Sequence, residues 1–209
     1  RRRIMLNDRD AVNNYSSVYF WIGSTNDGAG IKVIKANGTV QDVSLRNAVY
    51  VEDNDDVPST FTPYIGKANT YLDKSKSRVI FFKVAIPDLV PGDIIDYGTI
   101  FYDDNTVKKM SYIEFDPIYF VCTREYPVIS QKFEIDTDNN SFVNSKSTMG
   151  APAFKETGNA NADYSWEDRD REKIPDKKWV NRMIELPMLK FQFVFSRSEN
   201  RSDLFIGDR

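Results

Sequence analysis

The alternation of apolar and polar side chains with a period of two constrains the fold of this chain most strongly. Residues 128–135 place Ile129, Phe133 and Ile135 on one face, and residues 189–195 repeat that arrangement with three phenylalanines. Successive side chains of a strand point to opposite sides of a sheet, so this spacing predicts half-buried strands. The sequence therefore favours a β-rich fold.

Turn chemistry separates the predicted strands. Asn37-Gly38 lies between the apolar runs 31–34 and 39–43. This dipeptide suits the two positive φ angles of a type I′ turn, so we predict a β-hairpin. Residues 87–93 read Pro-Asp-Leu-Val-Pro-Gly-Asp and predict a loop, because proline removes a backbone donor from a strand. Strand character resumes at residues 94–102.

Helical periodicity is weak throughout the chain, and residues 65–72 are the best short candidate. Many short strands with few helices predict an all-β fold, an antiparallel two-sheet β-sandwich of immunoglobulin-like or related type. We predict one domain over residues 1–209. A polar excursion is expected at about 139–162, and a charged connector is expected at about 167–178.

The residue counts exclude several chemistries. The sequence contains no histidine and one cysteine, so it cannot assemble a Ser-His-Asp or Cys-His site, a histidine-bearing zinc site or an internal disulfide. Cys122 lies in the apolar run 118–122, where a buried and inert thiol is expected rather than a nucleophile. We predict no catalytic residue and no enzymatic activity, although plentiful carboxylates leave a carboxylate-dependent hydrolase open.

Charge and hydropathy limit the partners. The net charge of −3 gives no field that attracts nucleic acid. No apolar run reaches the roughly 18 residues of a membrane span. The start, Arg1-Arg2-Arg3, precedes no apolar core of a signal peptide, so we expect none within this chain.

Two acidic stretches resemble parts of calcium loops. Residues 136–140 begin with the right spacing, but Ser141 and Ser147 occupy the positions at which an EF-hand needs glycine and glutamate. Residues 52–56 are compatible with calcium or with a plain acidic surface loop. Gly28-Ala29-Gly30 leads into a strand-like run instead of the helix that a phosphate site requires. We therefore predict no cofactor and no metal.

Three aromatic residues flank the charged segment. Tyr164, Trp166 and Trp179 are placed to contact a neighbouring domain or to stack on a ligand such as a sugar. The alternative is that they anchor a short strand in the core.

The segment from Phe82 to Tyr97 resembles a known family. Its Pro-Asp-Leu-Val-Pro-Gly-Asp-Ile-Ile-Asp-Tyr sequence is similar to the P-x-L-x-P-G-D-x-I-[DE]-Y stretch of the domain of unknown function that precedes transglutaminase-like cores in bacterial exported proteins. The hairpin at 31–40, the Tyr126-Pro127-Val128 entry and the Tyr164-Ser165-Trp166-Glu167 exit follow in the family's order.

The resemblance implies a non-catalytic accessory β-sandwich module in a periplasmic or extracellular bacterial protein. Such a module packs against a downstream transglutaminase- or peptidase-like domain or partner protein, or presents substrate to it. The family's core carries a cysteine, a histidine and an aspartate, and this chain has no histidine, so no catalytic residue transfers to it. A carbohydrate-binding module that uses surface aromatics is the alternative expectation, with a glycan or a peptide as ligand.

Overall fold

The computed structural model of the chain is mostly β-strand, with several antiparallel sheets and few helices. The residues fall into two compact units, whereas the sequence predicted one domain over 1–209. Unit 1 comprises Arg1–Pro63 and Tyr71–Asn105, and unit 2 comprises Tyr64–Thr70 and Thr106–Arg209. The structure describes residues 1–22, 27–53, 56–58, 61, 80–100, 112–115, 117–137, 140–157, 164–174 and 182–196.

The described part of unit 1 contains two antiparallel sheets and one short α-helix. Its described elements are β1 (Arg2–Met5), α1 (Arg9–Asn14), β2 (Ser17–Ile22), β3 (Gly28–Ile34), β4 (Val40–Asp42), a 3-10 turn (Leu45–Asn47), β5 (Val49–Tyr50), β6 (Ile80–Ala85) and β7 (Ile94–Ile100). Sheet A has the strand order β1-β7-β3-β4, and sheet B has the order β2-β6-β5. The helix begins after Asp8, whose carboxylate accepts a hydrogen bond from Ala11 N at 2.7 Å.

The hairpin at Asn37-Gly38 is confirmed, but its turn differs from the predicted type I′. Lys35 N donates to Thr39 O, and Gly38 N donates to Lys35 O, both at 2.8 Å. Gly38 alone in this loop has a positive φ, of 85°. The connection is therefore a turn followed by a left-handed glycine, which joins β3 to β4 through a longer loop than the two-residue type.

Aliphatic and aromatic side chains fill the core of unit 1. Leu6, Val18 and Ile95 are fully buried. The ring of Phe61 lies 5.4 Å from the ring of Tyr19 in sheet B and 5.8 Å from the ring of Tyr97 in sheet A. The loop residue Phe61 therefore packs against side chains of both sheets.

Unit 2 also contains two antiparallel sheets. Its described elements are β8 (Tyr112–Glu114), β9 (Ile118–Val121), β10 (Val128–Ile135), β11 (Ser141–Thr148), β12 (Lys155–Glu156), β13 (Tyr164–Arg171), α2 (Arg182–Glu185) and β14 (Met188–Ser196). Sheet C has the order β11-β14-β8, with β9 also paired to β14, and sheet D has the order β10-β13-β12.

Two predictions about irregular segments are wrong. The polar excursion expected at 139–162 contains β11, an eight-residue strand paired with β14 along its whole length. The charged connector expected at 167–178 begins inside β13, which pairs with β10. Glu167 and Arg169 are exposed while Tyr164, Trp166 and Asp168 are buried. The segment thus keeps the period of two, with a buried charge at one inward position.

Strand β10 has the predicted bounds, but one of its side chains is placed differently. Phe133 and Ile135 pack against the core, as predicted. Ile129 is 77% exposed. In the register of β10 with β13, Val128 pairs with Arg171 and Ser130 pairs with Arg169, but Ile129 and Asp170 are not paired. Asp170 has a φ of 53°. This local irregularity of the sheet accompanies the outward position of Ile129.

The described helices, α1 and α2, are both too short to cross a membrane. The helix predicted at 65–72 lies outside the described residues.

Candidate functional site

The Pro-Gly-Asp loop is fastened to unit 1 by a buried carboxylate. The side chain of Asp93 is fully buried. Its oxygens accept hydrogen bonds from Lys35 Nζ at 2.8 Å, Val90 N at 3.0 Å and Ala36 N at 3.3 Å. One carboxylate therefore joins the loop between β6 and β7 to the hairpin between β3 and β4.

The backbone of the same loop also holds the end of β1. Leu6 N donates to Asp93 O at 2.9 Å, and Gly92 N donates to Leu6 O at 2.7 Å. Gly92 has a φ of 94°, and a Cβ there would lie 3.3 Å from the Cβ of Ala36. Glycine suits this position because it takes the left-handed conformation without strain and leaves room for the hairpin.

The environment of Asp93 favours its ionised form. Burial alone opposes ionisation of this carboxyl, but the hydrogen bond and charge of Lys35, together with the amides of Val90 and Ala36, outweigh burial. The pKa of Asp93 therefore lies below its usual 3.8. Asp93 is a buried anion with a fixed cation beside it.

Asp96, the second acidic residue of the motif, holds the first strand. Arg1 Nε donates to Asp96 Oδ1 at 2.8 Å, Arg1 Nη2 donates to Oδ2 at 2.5 Å, and Arg3 Nε donates to Oδ2 at 3.0 Å. The hydrogen bond from Arg1 is the largest influence, and with Arg3 it overcomes burial and lowers the pKa of Asp96 to about 2. The guanidinium groups therefore hold β1 against β7.

An aromatic cluster forms the core of unit 2. The ring of Phe133 lies 4.8 Å from that of Phe120, 5.3 Å from that of Trp166 and 5.7 Å from that of Phe191. Edge-to-face and tilted contacts of this kind are favourable at such distances. Phe154, Tyr164 and Phe193 extend the cluster.

The predicted contact residues Tyr164 and Trp166 belong to this cluster. Tyr164 is 9% exposed and Trp166 is 1% exposed, and Trp166 Nε1 donates to Pro152 O at 2.7 Å. Neither ring offers an open face on which a ligand could stack, so their burial matches the alternative of a strand anchored in the core. Trp179 lies outside the described residues, and its predicted role stays a prediction.

A third buried carboxylate lies in unit 2. Asp168 accepts hydrogen bonds from Gln131 Nε2 at 2.7 Å and from Arg171 Nε at 2.7 Å. Gln131 also donates to Cys122 O, and Arg171 also donates to Gly150 O, both at 2.8 Å. Asp168 thus connects β10, β13 and the turn after β11 through two neighbouring side chains.

The thiol of Cys122 is buried, as predicted. Burial, followed by the negative charge of Asp168, raises its pKa to about 12. A nucleophilic cysteine needs the opposite shift, since the thiolate is the reactive form.

The two acidic stretches are only partly described. Residues 54–55 and 138–139 lie outside the described part of the chain. Within that part, no three Cys, Asp or Glu side chains are grouped to hold a metal ion.

The three buried carboxylates named above hold loops and strands in place. A general acid at neutral pH needs a carboxyl whose pKa is raised, and the pKa of Asp93 and the pKa of Asp96 are both lowered. Each of the buried carboxylates Asp93, Asp96 and Asp168 contacts at least one cation. Their geometry therefore supports fixed positions for loops and strands.

Sequence reasoning missed these anchoring residues. It predicted the loop from its prolines and gave no role to Asp93 or Asp96. A carboxylate at an otherwise apolar strand position, with cationic residues on the predicted neighbouring strands, was the available signal. Asp96 lies opposite Arg3 and Lys32 in the sheet, but this pairing required the register of β1 and β3 against β7.

No protein-family model matches this sequence, and no curated protein does. The structure is similar to a crystal structure from Parabacteroides distasonis named as a "putative protease", with a TM-score of 0.62 and 16% sequence identity. The match covers 91% of this chain and 35% of that chain, so this chain spans about a third of the length of the P. distasonis protein. At this identity the likeness concerns the fold.

Proposed function

We propose that this chain is a non-catalytic accessory β-sandwich module that packs against a transglutaminase- or peptidase-like domain or presents substrate to it. One observation carries the proposal. The structural match covers 91% of this chain but 35% of the longer chain, which is named as a "putative protease". Nearly all of this chain is thus similar to a minor part of that protein, which is the relation expected of an accessory module.

The geometry of the Pro-Gly-Asp motif supports a scaffolding role. Asp93 holds the hairpin through Lys35, and Asp96 holds β1 through Arg1 and Arg3. These are the acidic positions of the motif through which the sequence resembles domains that precede transglutaminase-like cores. Their ion pairs account for the motif without any chemistry on a substrate.

The composition supports the same proposal. A transglutaminase-like core needs a reactive cysteine and a histidine, and the sequence has no histidine. Its single cysteine is buried with a pKa raised to about 12. We accordingly place the chemistry in another domain or a partner protein, and we propose a periplasmic or extracellular bacterial setting.

The two sheets of each unit suggest the finer architecture. Antiparallel sheets with one buried face commonly stack as a sandwich, and each unit has one such pair of sheets. We propose that each unit is a small sandwich. A glycan-binding role is less favoured, because two of the three aromatic residues on which it depended are buried.

The first test measures activity. The purified 209-residue chain is incubated with peptide, amide and ester substrates and with an amine acceptor for transamidation. The expected rates equal those of buffer alone. The variants Trp166→Ala and Asp93→Ala, purified in the same way, are the controls. They destabilise unit 2 and unit 1 respectively, so an activity that persists in both comes from a contaminant. Turnover above buffer that disappears in either variant would overturn the proposal.

The second test uses the complete product of the gene. Deletion of residues 1–209 is expected to leave turnover of a small ester within about twofold and to raise KM for a protein substrate about tenfold or more. Adding the separate 209-residue chain should restore part of the difference. The proposal fails if neither the complete product nor a protein that copurifies with it carries such an activity, or if the deletion leaves KM for the protein substrate unchanged.

A further inference from the structure

The solvent face of sheet A is organised in rungs. Each rung is a row of four residues, one from each strand, that lie opposite one another in the pairing register. In the pairing register, Arg3 lies opposite Asp96, Asp96 opposite Lys32, and Lys32 opposite Asp42. These four residues point away from the core, since Ile95 on the opposite face is fully buried. One rung therefore contains a charged residue from every strand of the sheet.

The charges along this rung alternate in sign. From β1 to β4 the order is Arg3, Asp96, Lys32 and Asp42, that is plus, minus, plus, minus. Arg3 Nε lies 3.0 Å from Asp96 Oδ2, and Lys32 Nζ lies 3.5 Å from Asp42 Oδ1. The side chains of Arg3, Lys32 and Asp42 are 60%, 57% and 81% exposed, so these three are open to a partner. The side chain of Asp96 is 7% exposed and is already paired with Arg1 and Arg3.

The next rung on the same face is apolar. Met5 lies opposite Ile94, Ile94 opposite Ile34, and Ile34 opposite Val40. The outer members, Met5 and Val40, are each 55% exposed, and the two isoleucines are half-buried. A row of four large apolar side chains at the surface is typical of a contact surface.

We propose that this face of sheet A docks against the same face of a second copy of the chain. Consider a two-fold axis that lies between the two faces and runs parallel to the strands. Rotation about this axis reverses the order of the strands and keeps the order of the rungs. Arg3 then faces Asp42 of the second copy. The position of Asp96, whose carboxylate is held by Arg1 and Arg3 of its own chain, lies opposite Lys32. The apolar rungs also meet, with Met5 facing Val40 and Ile94 facing Ile34 of the second copy.

The charge order favours a second copy over an unrelated partner. On reversal the exposed cation Arg3 at one end of the row meets the exposed anion Asp42 of the second copy, so the row is complementary to itself at both ends. The same rotation brings each apolar side chain against an apolar side chain. A self-complementary patch of this kind is what a two-fold symmetric interface requires. Aligned packing of two sheets keeps strand directions within about 30°, as this axis demands.

The expected dimer is weak. Four strands spaced about 4.8 Å apart give a face less than about 20 Å wide. The surface area that two rungs on such a face can bury is below the roughly 1,200 Å² of a standard interface and lies in the range of transient contacts. The chain should therefore change from monomer to dimer with concentration, in the micromolar range or above.

Sedimentation analysis over a concentration series tests the proposal with two charge variants. Asp42→Lys places a cation against Arg3 of the second copy, and Arg3→Glu places an anion against Asp42. Each variant alone is expected to dimerise about tenfold more weakly or worse, since two symmetric contacts become repulsive. An equimolar mixture should dimerise again, because the glutamate introduced in one variant then faces the lysine introduced in the other. Rescue by mixing separates an interface effect from a folding defect.

A second pair of variants covers the case in which loss of Arg3 disturbs β1. Met5→Glu and Val40→Lys each place a charge in the apolar rung, and the mixture pairs the two new charges. Glu52→Lys changes the net charge as Asp42→Lys does, at an exposed position outside the rungs, and should dimerise as the parent chain does. A chain that stays monomeric to millimolar concentration, or variant mixtures that show no rescue, would overturn the proposal.

Discussion

Units 1 and 2 are both built from two antiparallel sheets, but different interactions hold them together. Unit 1 uses two buried aspartates, Asp93 and Asp96, whose cations lie on a hairpin and on the first strand. Unit 2 uses an aromatic cluster around Phe133 and Trp166, with one buried aspartate at its edge. Both units also have a buried apolar core, so the comparison shows that a pair of antiparallel sheets can be reinforced by ion pairs at its loops or by contacts between aromatic rings at its centre.

The difference has consequences for the response to solution conditions. Ion pairs with partly exposed cations weaken with salt and with acid. A buried aromatic cluster is insensitive to both in the neutral and mildly acidic range. We expect acid and salt to affect unit 1 first, and large-to-small substitutions within the aromatic cluster to affect unit 2 alone.

The largest effect is expected from Trp166→Ala. Removing a buried tryptophan costs about 3–5 kcal/mol of stability through lost burial and the cavity that remains. Hydrogen exchange should show loss of protection in β10, β13 and β14, with β3 and β7 unchanged. Trp166→Phe keeps most of the packing, loses the hydrogen bond to Pro152 O, and should cost about 1 kcal/mol. Equal loss of protection in both units would contradict the comparison.

Breaking the Lys35–Asp93 pair should give the next largest effect, in unit 1. Asp93→Ala leaves two backbone amides without their acceptor and leaves Lys35 with the carbonyl of Asp88, at a cost of about 2–3 kcal/mol. Urea unfolding of the single variants and of Lys35→Ala/Asp93→Ala measures the coupling. The double variant should cost clearly less than the sum of the two. Additive costs would mean that the pair does not act as a unit.

The acid response of unit 1 should depend on Asp96. Its pKa is about 2 in the folded chain against a usual 3.8, so its contribution is present above pH 3.8 and lost as the pH falls towards 2. We expect a loss of about 1–2 kcal/mol in this window, reduced from the full shift because the arginines are exposed to solvent. Unfolding of Asp96→Asn measured from pH 5 to pH 2 should show a smaller slope than the parent chain. An identical slope would remove Asp96 as the cause.

The smallest effect is expected on the solvent face of sheet D. Lys132 and Glu134 form an ion pair at 2.5 Å, but their side chains are 52% and 69% exposed. Exposed pairs contribute little, so Lys132→Ala should shift the melting temperature by less than about 1 °C. A larger shift would show that charge also holds unit 2 together.

Local sequence rules predicted the strands well where pattern and turn residues agreed. Residues 128–135 became β10 with its predicted bounds, and the prolines at 87 and 91 lie in the predicted loop between β6 and β7. The Asn37-Gly38 hairpin was predicted correctly, although its turn type was not. These features depend on neighbouring residues, which a sequence displays directly.

Features that depend on distant residues were beyond such rules. Residues 167–171 looked like a solvated connector because an aspartate occupies the inward position of the strand, and only Arg171 and Gln131 make that position tolerable. Part of the excursion predicted at 139–162 is strand β11, because pairing with the apolar β14 overrides the weak strand preference of residues 141–148. The anchoring role of Asp96 required knowing that Arg1 and Arg3 lie beside it.

The burial of Cys122 makes the chain convenient to observe. The sequence holds one sulfhydryl group, and unit 2 encloses it completely. A thiol-specific dye can react only when unit 2 opens, whatever unit 1 does in the meantime. The labelling rate therefore measures the opening frequency of one half of the molecule, without any engineered probe.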